Sequence, residues 1–192
     1  MHVGETIVLA LFLFAGLGVS GYFLTLYNGL VALKQNVGRA WANIDVLLKQ
    51  RHDEIPKLVN TVEGYMQHER GVFDKLSEAR GALLQARGVA QRAEAEGMVT
   101  RALGQLFAVA EAYPDLKANQ SFLQLQARIS DLENQIADRR EFYNDTVTTF
   151  NTRLEQLPDK FIAQWLNYTP AELFKVAEAD RQDVEVQFKM AG

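Results

Sequence analysis

Between Glu5 and Lys34 the chain carries no charged residue, a gap of 28 positions in a sequence of 192. Within the gap, Ile7 to Leu26 is made of Ile, Val, Leu, Phe, Ala, Gly, Ser, Tyr and Thr alone. About 20 such residues, at about 1.5 Å each, cross a hydrocarbon core of roughly 30 Å. Only a helix satisfies every backbone donor of a lone span from within. Tyr22 and Tyr27 lie toward one end, where amphipathic rings favour the lipid–water boundary. A cleaved signal peptide is the rival reading. It needs basic residues ahead of a shorter apolar core, and a small-residue cleavage site. Met1 to Thr6 offers only His2 and Glu5, and Gly18-Val19-Ser20-Gly21 makes a poor site. The sequence therefore predicts a retained, single-pass transmembrane helix with the lipid bilayer as its first partner. Lys34 and Arg39 are the first charges after the span, and no acid appears until Asp45. By the positive-inside rule the N-terminus is expected outside and the C-terminal domain in the cytoplasm.

The positions after Leu33 hold all 20 Lys and Arg and 23 of the 24 Asp and Glu. So even a balance argues against a nucleic-acid partner, which needs a concentrated basic surface to displace counterions. With no cysteine, disulfide scaffolds, zinc–thiolate sites, cysteine nucleophiles and acylated lipoproteins are all excluded. About 160 residues suffice for one ordinary domain. The expected division is a tail over 1–6, the transmembrane helix and its exit over 7–33, a helical bundle over 34–180, and a tail over 181–192.

Apolar residues from Leu33 onward recur at alternating steps of three and four. One row is Val37, Ile44, Leu58, Tyr65, Val72 and Ala79, with Arg51 in the missing place. A second is Leu33, Ala40, Leu47, Val62, Leu76 and Leu83, interrupted by Glu54 and Glu69. This narrow, coiled-coil-like stripe predicts one helix that leaves the bilayer and continues, with a kink or short break near Glu54–Ile55 ahead of Pro56. Gly88 and the polar run from Gln91 to Gly97 predict a turn, followed by a second helix over about 96–113. Asn119 is placed to cap a third helix, which Leu157-Pro158-Asp159 stops. Thr169-Pro170-Ala171-Glu172 has the order of a helix start and predicts a last helix to about Ala179. Val184 to Phe188 alternates with period two, as a short extended segment would. The predicted fold class is all-α: an N-terminal transmembrane helix continuing into an antiparallel bundle of three to four long helices.

Candidate sites are few. Gly16-Leu17-Gly18-Val19-Ser20-Gly21 spells G-x-G-x-x-G, but that fingerprint works only on a turn between a strand and a helix. Inside a span, Gly16 and Ser20 read instead as a small-xxx-small transmembrane packing face, or as glycine usage ordinary in membrane helices. His52 and His68 lack the i,i+4 spacing of a metal pair, and no Glu-x-x-His, G-x-S-x-G or Walker loop occurs. No catalytic, metal or cofactor residue is predicted, and the chain is expected not to be an enzyme. Arg51, Arg139 and Arg153 fall on or beside the apolar stripes and predict structural ion pairs, with Asp45, Glu54 or Glu141 as partners. Phe161, Ile162, Trp165, Leu166 and Tyr168 form an apolar, aromatic segment with two readings. It caps the bundle core, or it returns the chain to the membrane face. Sequons at Asn119, Asn144 and Asn167 are discounted as chance matches in a domain placed in the cytoplasm.

Several strings resemble the LemA family. They are Tyr27-Asn28-Gly29-Leu30-Val31-Ala32-Leu33, Ala40-Trp41-Ala42-Asn43-Ile44-Asp45-Val46, and Lys49-Gln50-Arg51-His52-Asp53-Glu54-Ile55-Pro56-Lys57-Leu58-Val59. Phe107 to Asn119, Phe142-Tyr143-Asn144-Asp145 and Phe150-Asn151-Thr152-Arg153 continue the match. The resemblance implies a bacterial single-pass inner-membrane protein with an external N-terminus and an internal helical domain. It supplies no catalytic residues. A relative's part in forming magnetosome membranes adds to the membrane-organising expectation, and the lipobox cysteine of some members is absent here. The function expected is a membrane-anchored, non-enzymatic scaffold that forms homo-oligomers and organises membrane or partner proteins. The alternative is an adaptor for another membrane protein, such as a protease or sensor, docking through Val184–Phe188.

Overall fold

The computed structural model describes residues 2–175. Among them the chain is all-α, with helices α1 (His2–Glu63), α2 (Arg70–Gln85), α3 (Gly88–Ala110), α4 (Pro114–Lys117), α5 (Gln120–Glu155) and α6 (Asp159–Trp165). Two compact units form. One is built from residues 2–45 and 138–172, the other from 46–137 and 173–175.

In the second unit, the end of α1, then α2, α3 and the start of α5 alternate in direction. Side-chain pairs show this: His52 faces Arg80, Lys75 faces Gln105, Arg51 reaches Glu133, and Asn119 reaches Tyr65. The arrangement is an up-down-up-down four-helix bundle. Its core joins Ile55, Leu58, Val62 and Met66 to Leu76, Ala79, Val99, Leu103, Leu106, Leu116, Phe122 and Ile129. Each such aliphatic side chain contributes about 1.5–3 kcal/mol on burial. Phe107 meets Phe122 edge-on at 6.3 Å.

The helix predicted to run past Leu76 instead ends at Glu63. Residues 64–69 form a tight connection, held by Tyr65 and Met66 N–H groups on the Val62 carbonyl. Met66 plugs it from within the core. The seven-residue spacing from Leu58 through Tyr65 to Val72 survives only because the connection happens to conserve it, and Tyr65 is exposed. Pro56 causes no break, since α1 continues through it to Glu63.

The second helix starts earlier than predicted. The turn occupies only Ala86 and Arg87, both extended, and Gly88 opens α3 at φ +78°. Gln91 accepts a hydrogen bond from the Arg87 backbone N–H (2.8 Å). The polar run read as a link is therefore the capped first turns of α3. Asn119 does cap α5, its Oδ1 accepting from the Phe122 N–H at 3.1 Å.

In the first unit the opening part of α1 runs antiparallel to the end of α5, with Leu30 beside Phe150 and Leu154, and the Trp41 ring tilted against Tyr143 at 5.5 Å. α6 closes this core with Ile162 and Ala163. Residues 169–175 are not helical, against expectation. Asn151 holds Ala171 by both its N–H (2.8 Å) and its carbonyl (3.0 Å), and Tyr143 donates to the Glu172 carbonyl (2.8 Å). Those side chains satisfy the Ala171 N–H and the Ala171 and Glu172 carbonyls, so the segment's backbone is paired without a helix. The remainder of the predicted last helix and the Val184–Phe188 segment lie outside the described residues.

Candidate membrane interface

The first part of α1 is long and apolar enough to cross a membrane, and none of its most apolar stretch is buried. Phe12, Phe14 and Val19 stand fully presented to the surroundings. The Ser and Thr hydroxyls of the span bond within it. Ser20 Oγ donates to the Gly16 carbonyl (2.8 Å), and Thr25 Oγ1 to that of Gly21 (3.0 Å). The Gly16–Gly21 string lies mid-helix, so it forms no phosphate-binding turn. A methyl group added at Gly16, Gly18 or Gly21 would meet nothing within 4 Å, so the Gly16–Ser20 face is open.

At the far end of the span, α6 supplies the aromatic segment. Ile162 is buried, and Leu166 and Tyr168 pack on the same core. Phe161 and Trp165 point outward at 66% and 67% exposure. The Trp165 ring lies 6.2 Å from Phe23 and 6.3 Å from Tyr27, centroid to centroid. The segment therefore has two faces, one packed on the core and the other exposed beside the apolar helix. Lys34 Nζ sits 4.0 Å over the Tyr168 ring, a cation–π contact.

The three arginines part company. Arg153 forms a fork with Asp159, Nε to Oδ2 at 3.0 Å and Nη2 to Oδ1 at 2.9 Å. That bonding raises its pKa above the usual arginine value, with partial burial opposing and the nearby Asp159 charge assisting. The pair ties α5 to the start of α6. Arg51 is 2% exposed and bridges three helices. It pairs with Glu96 on α3 through Nη2, with Glu133 on α5 at 2.9 Å, and with Thr100 Oγ1 at 3.0 Å. Arg139 is exposed. Of the carboxylates anticipated as partners, Glu54 pairs with Lys57 at 3.0 Å. Glu96 escaped notice because it lies in the run taken for a turn. Its signal was its register, since 96, 99, 103, 106 and 110 follow the three–four rhythm of the α3 core.

His52 is lowered in pKa by burial first, then by Arg80, with Asp53 partly opposing. Arg80 Nη2 lies 3.5 Å from its Nε2. His68 is exposed. Among the described residues, no group of three or more His, Asp and Glu could hold a metal ion. An open groove of about 580 Å³ lies between α1 and α5 in the first unit, lined by Asn36, Arg39, Asn43, Asp145, Thr146 and Thr149 among others. Tyr143 and Asn151, which bind residues 171 and 172, were not singled out as site residues by sequence reading. Their presence in the LemA-like strings was the signal available.

Comparison with known proteins places these features in one group. Residues 40–188 match the LemA family. The chain is 24% identical to magnetosome protein MamQ 2 of Paramagnetospirillum magneticum, over 91% of this chain and 75% of that protein. It is 26% identical to protein LemA of Metamycoplasma hominis, over 82% and 73% of the two chains. Magnetosome protein MamQ of Magnetospirillum gryphiswaldense is 22% identical over 77% and 64%. With an apolar N-terminal helix suited to a membrane anchor and a helical remainder matched over most of its length, this chain belongs to the LemA family.

Proposed function

We propose that this protein is a membrane-anchored, non-enzymatic scaffold whose copies associate and so organise membrane or partner proteins. The observation that carries the reading is the open face of α1. Its outward apolar side chains suit lipid, and at Gly16 and Ser20 a second helix can approach closely because Gly16 has no side chain and the small Ser20 hydroxyl is turned back onto the Gly16 carbonyl. Similarity to proteins named for the magnetosome supports the organising role. The N-terminus lies outside and the chain beyond the span in the cytoplasm, on the flanking charges of Lys34 and Arg39.

Light scattering on the detergent-purified chain, with crosslinking in liposomes, tests association. More than one copy per particle, reduced by Gly16→Leu, is expected. A strict monomer in both settings overturns the scaffold reading. A reporter fused after Gly192 tests topology: activity confined to the cytoplasm is expected, and activity confined to the outside reverses the orientation.

A further inference from the structure

Helix α6 has two unlike faces, and among the described residues its outer one stays largely exposed. Leu157, in the turn before it, is 70% exposed, and Phe161 and Trp165 follow at steps of four. Three large apolar side chains so presented form a patch that water does not favour. The patch adjoins the apolar stretch of α1. Trp165 lies against Phe23 and Tyr27, one helical turn apart, where the uncharged stretch nears its end. If Ile7 to Leu26 fills the hydrocarbon core, Phe23 stands about 5 Å inside its edge, at about 1.5 Å per residue. That depth is where an in-plane helix settles, about 5–10 Å into the headgroup–acyl boundary.

Charge agrees with this placement. From Leu157 to Tyr168 the charged residues are Asp159 and Lys160. Asp159 is buried and bound by Arg153, so it presents no bare carboxylate to lipid. Lys160 is exposed and suited to headgroup phosphates. Tryptophan itself favours this boundary, apolar in body with one N–H to satisfy.

We infer that α6 is a second contact with the bilayer, its Phe161–Trp165 face resting in the lipid interface beside α1. The contact fixes how deep α1 sits and presses the first unit onto the membrane. It requires only that α1 is inserted, and it is independent of whether copies associate.

Trp165 reports on itself. The chain has two tryptophans, so Trp41→Phe leaves Trp165 alone. If that change costs helix content by circular dichroism, Trp41→Tyr replaces it. The full chain is reconstituted into phosphatidylcholine–phosphatidylglycerol vesicles, with nitroxide labels placed either near the headgroup or at the acyl terminus. A blue-shifted Trp165 emission is expected, lost more to the shallow label than to the deep one and little affected by aqueous iodide. Quenching by iodide with no loss to either label would overturn the inference, because the face would then be in water. Protection from lipid labels and iodide alike would also overturn it, because protein would cover the face. Phe14→Trp in a chain lacking both native tryptophans checks the anchor separately. If the deep label leaves that residue unquenched, the anchor reading falls and the α6 contact with it. If it is quenched while Trp165 is not, only the α6 contact falls.

Discussion

Replacing Arg51 by methionine tests how the bundle tolerates a buried carboxylate. Methionine keeps an unbranched apolar stem, ending about where arginine has Nε, and removes the guanidinium. Glu96, 3% exposed on α3, then loses the charge that faces it, and Thr100 loses its donor. Breaking a buried pair from one side costs about 3–5 kcal/mol, because the remaining ion is desolvated without compensation. Glu133 adds little, since its side chain is a third exposed and water replaces its partner. With a urea dependence of about 2 kcal/mol per molar, the unfolding midpoint drops by about 2 M. The assay is urea unfolding of the full chain in nonionic detergent, followed by far-ultraviolet circular dichroism. Arg51→Met combined with Glu96→Met removes both charges and recovers most of the loss, ending within about 1 kcal/mol of the parent. If Arg51→Met alone stays within about 1 kcal/mol, or the double variant is as unstable as the single, Glu96 is not held by Arg51 and the reasoning fails.

Asp159→Asn removes a two-bond partner from Arg153, whose side chain is 35% exposed and regains water, so a loss of about 1–2 kcal/mol is expected. Tryptophan fluorescence reads it, since Trp41 and Trp165 both belong to the same unit as this pair. Gly88→Ala costs about 1–2 kcal/mol for a side chain at φ +78°, although nothing crowds the site. Gly104→Ala, exposed within α3 and equally uncrowded, gains about 0.5–1 kcal/mol, and thermal unfolding of the two variants must show opposite signs. His52 titrates below its unfolded value of about 6.5, so as pH falls the unfolded chain takes up the proton first. Stability is complete above that value and declines as pH drops through it, until the folded state protonates too. Unfolding midpoints at pH about 7.5 and about 5.5 should show the decline, and His52→Gln should flatten it.

The apolar N-terminal helix was legible in the sequence because bilayer thickness acts on composition alone. Twenty uncharged residues form a helix long and apolar enough to cross a membrane, whatever the rest of the chain does. The Asn119 cap and the helical class were legible for a related reason, since capping and periodicity act over a few residues. Tertiary structure decided what local pattern could not. Heptad spacing ran through the 64–69 connection because a six-residue turn can conserve register. Residues 169–172 carry a helix start signal, yet Asn151 and Tyr143, some 20 and 29 positions away, satisfy their backbone instead. Glu96 is polar in the chain and buried in the bundle only because Arg51, on another helix, comes to meet it. An ion pair, a strap and an exposed aromatic edge are each made of residues distant in sequence. Their energies depend on distance and burial, and neither quantity is written in a sequence until the chain has folded.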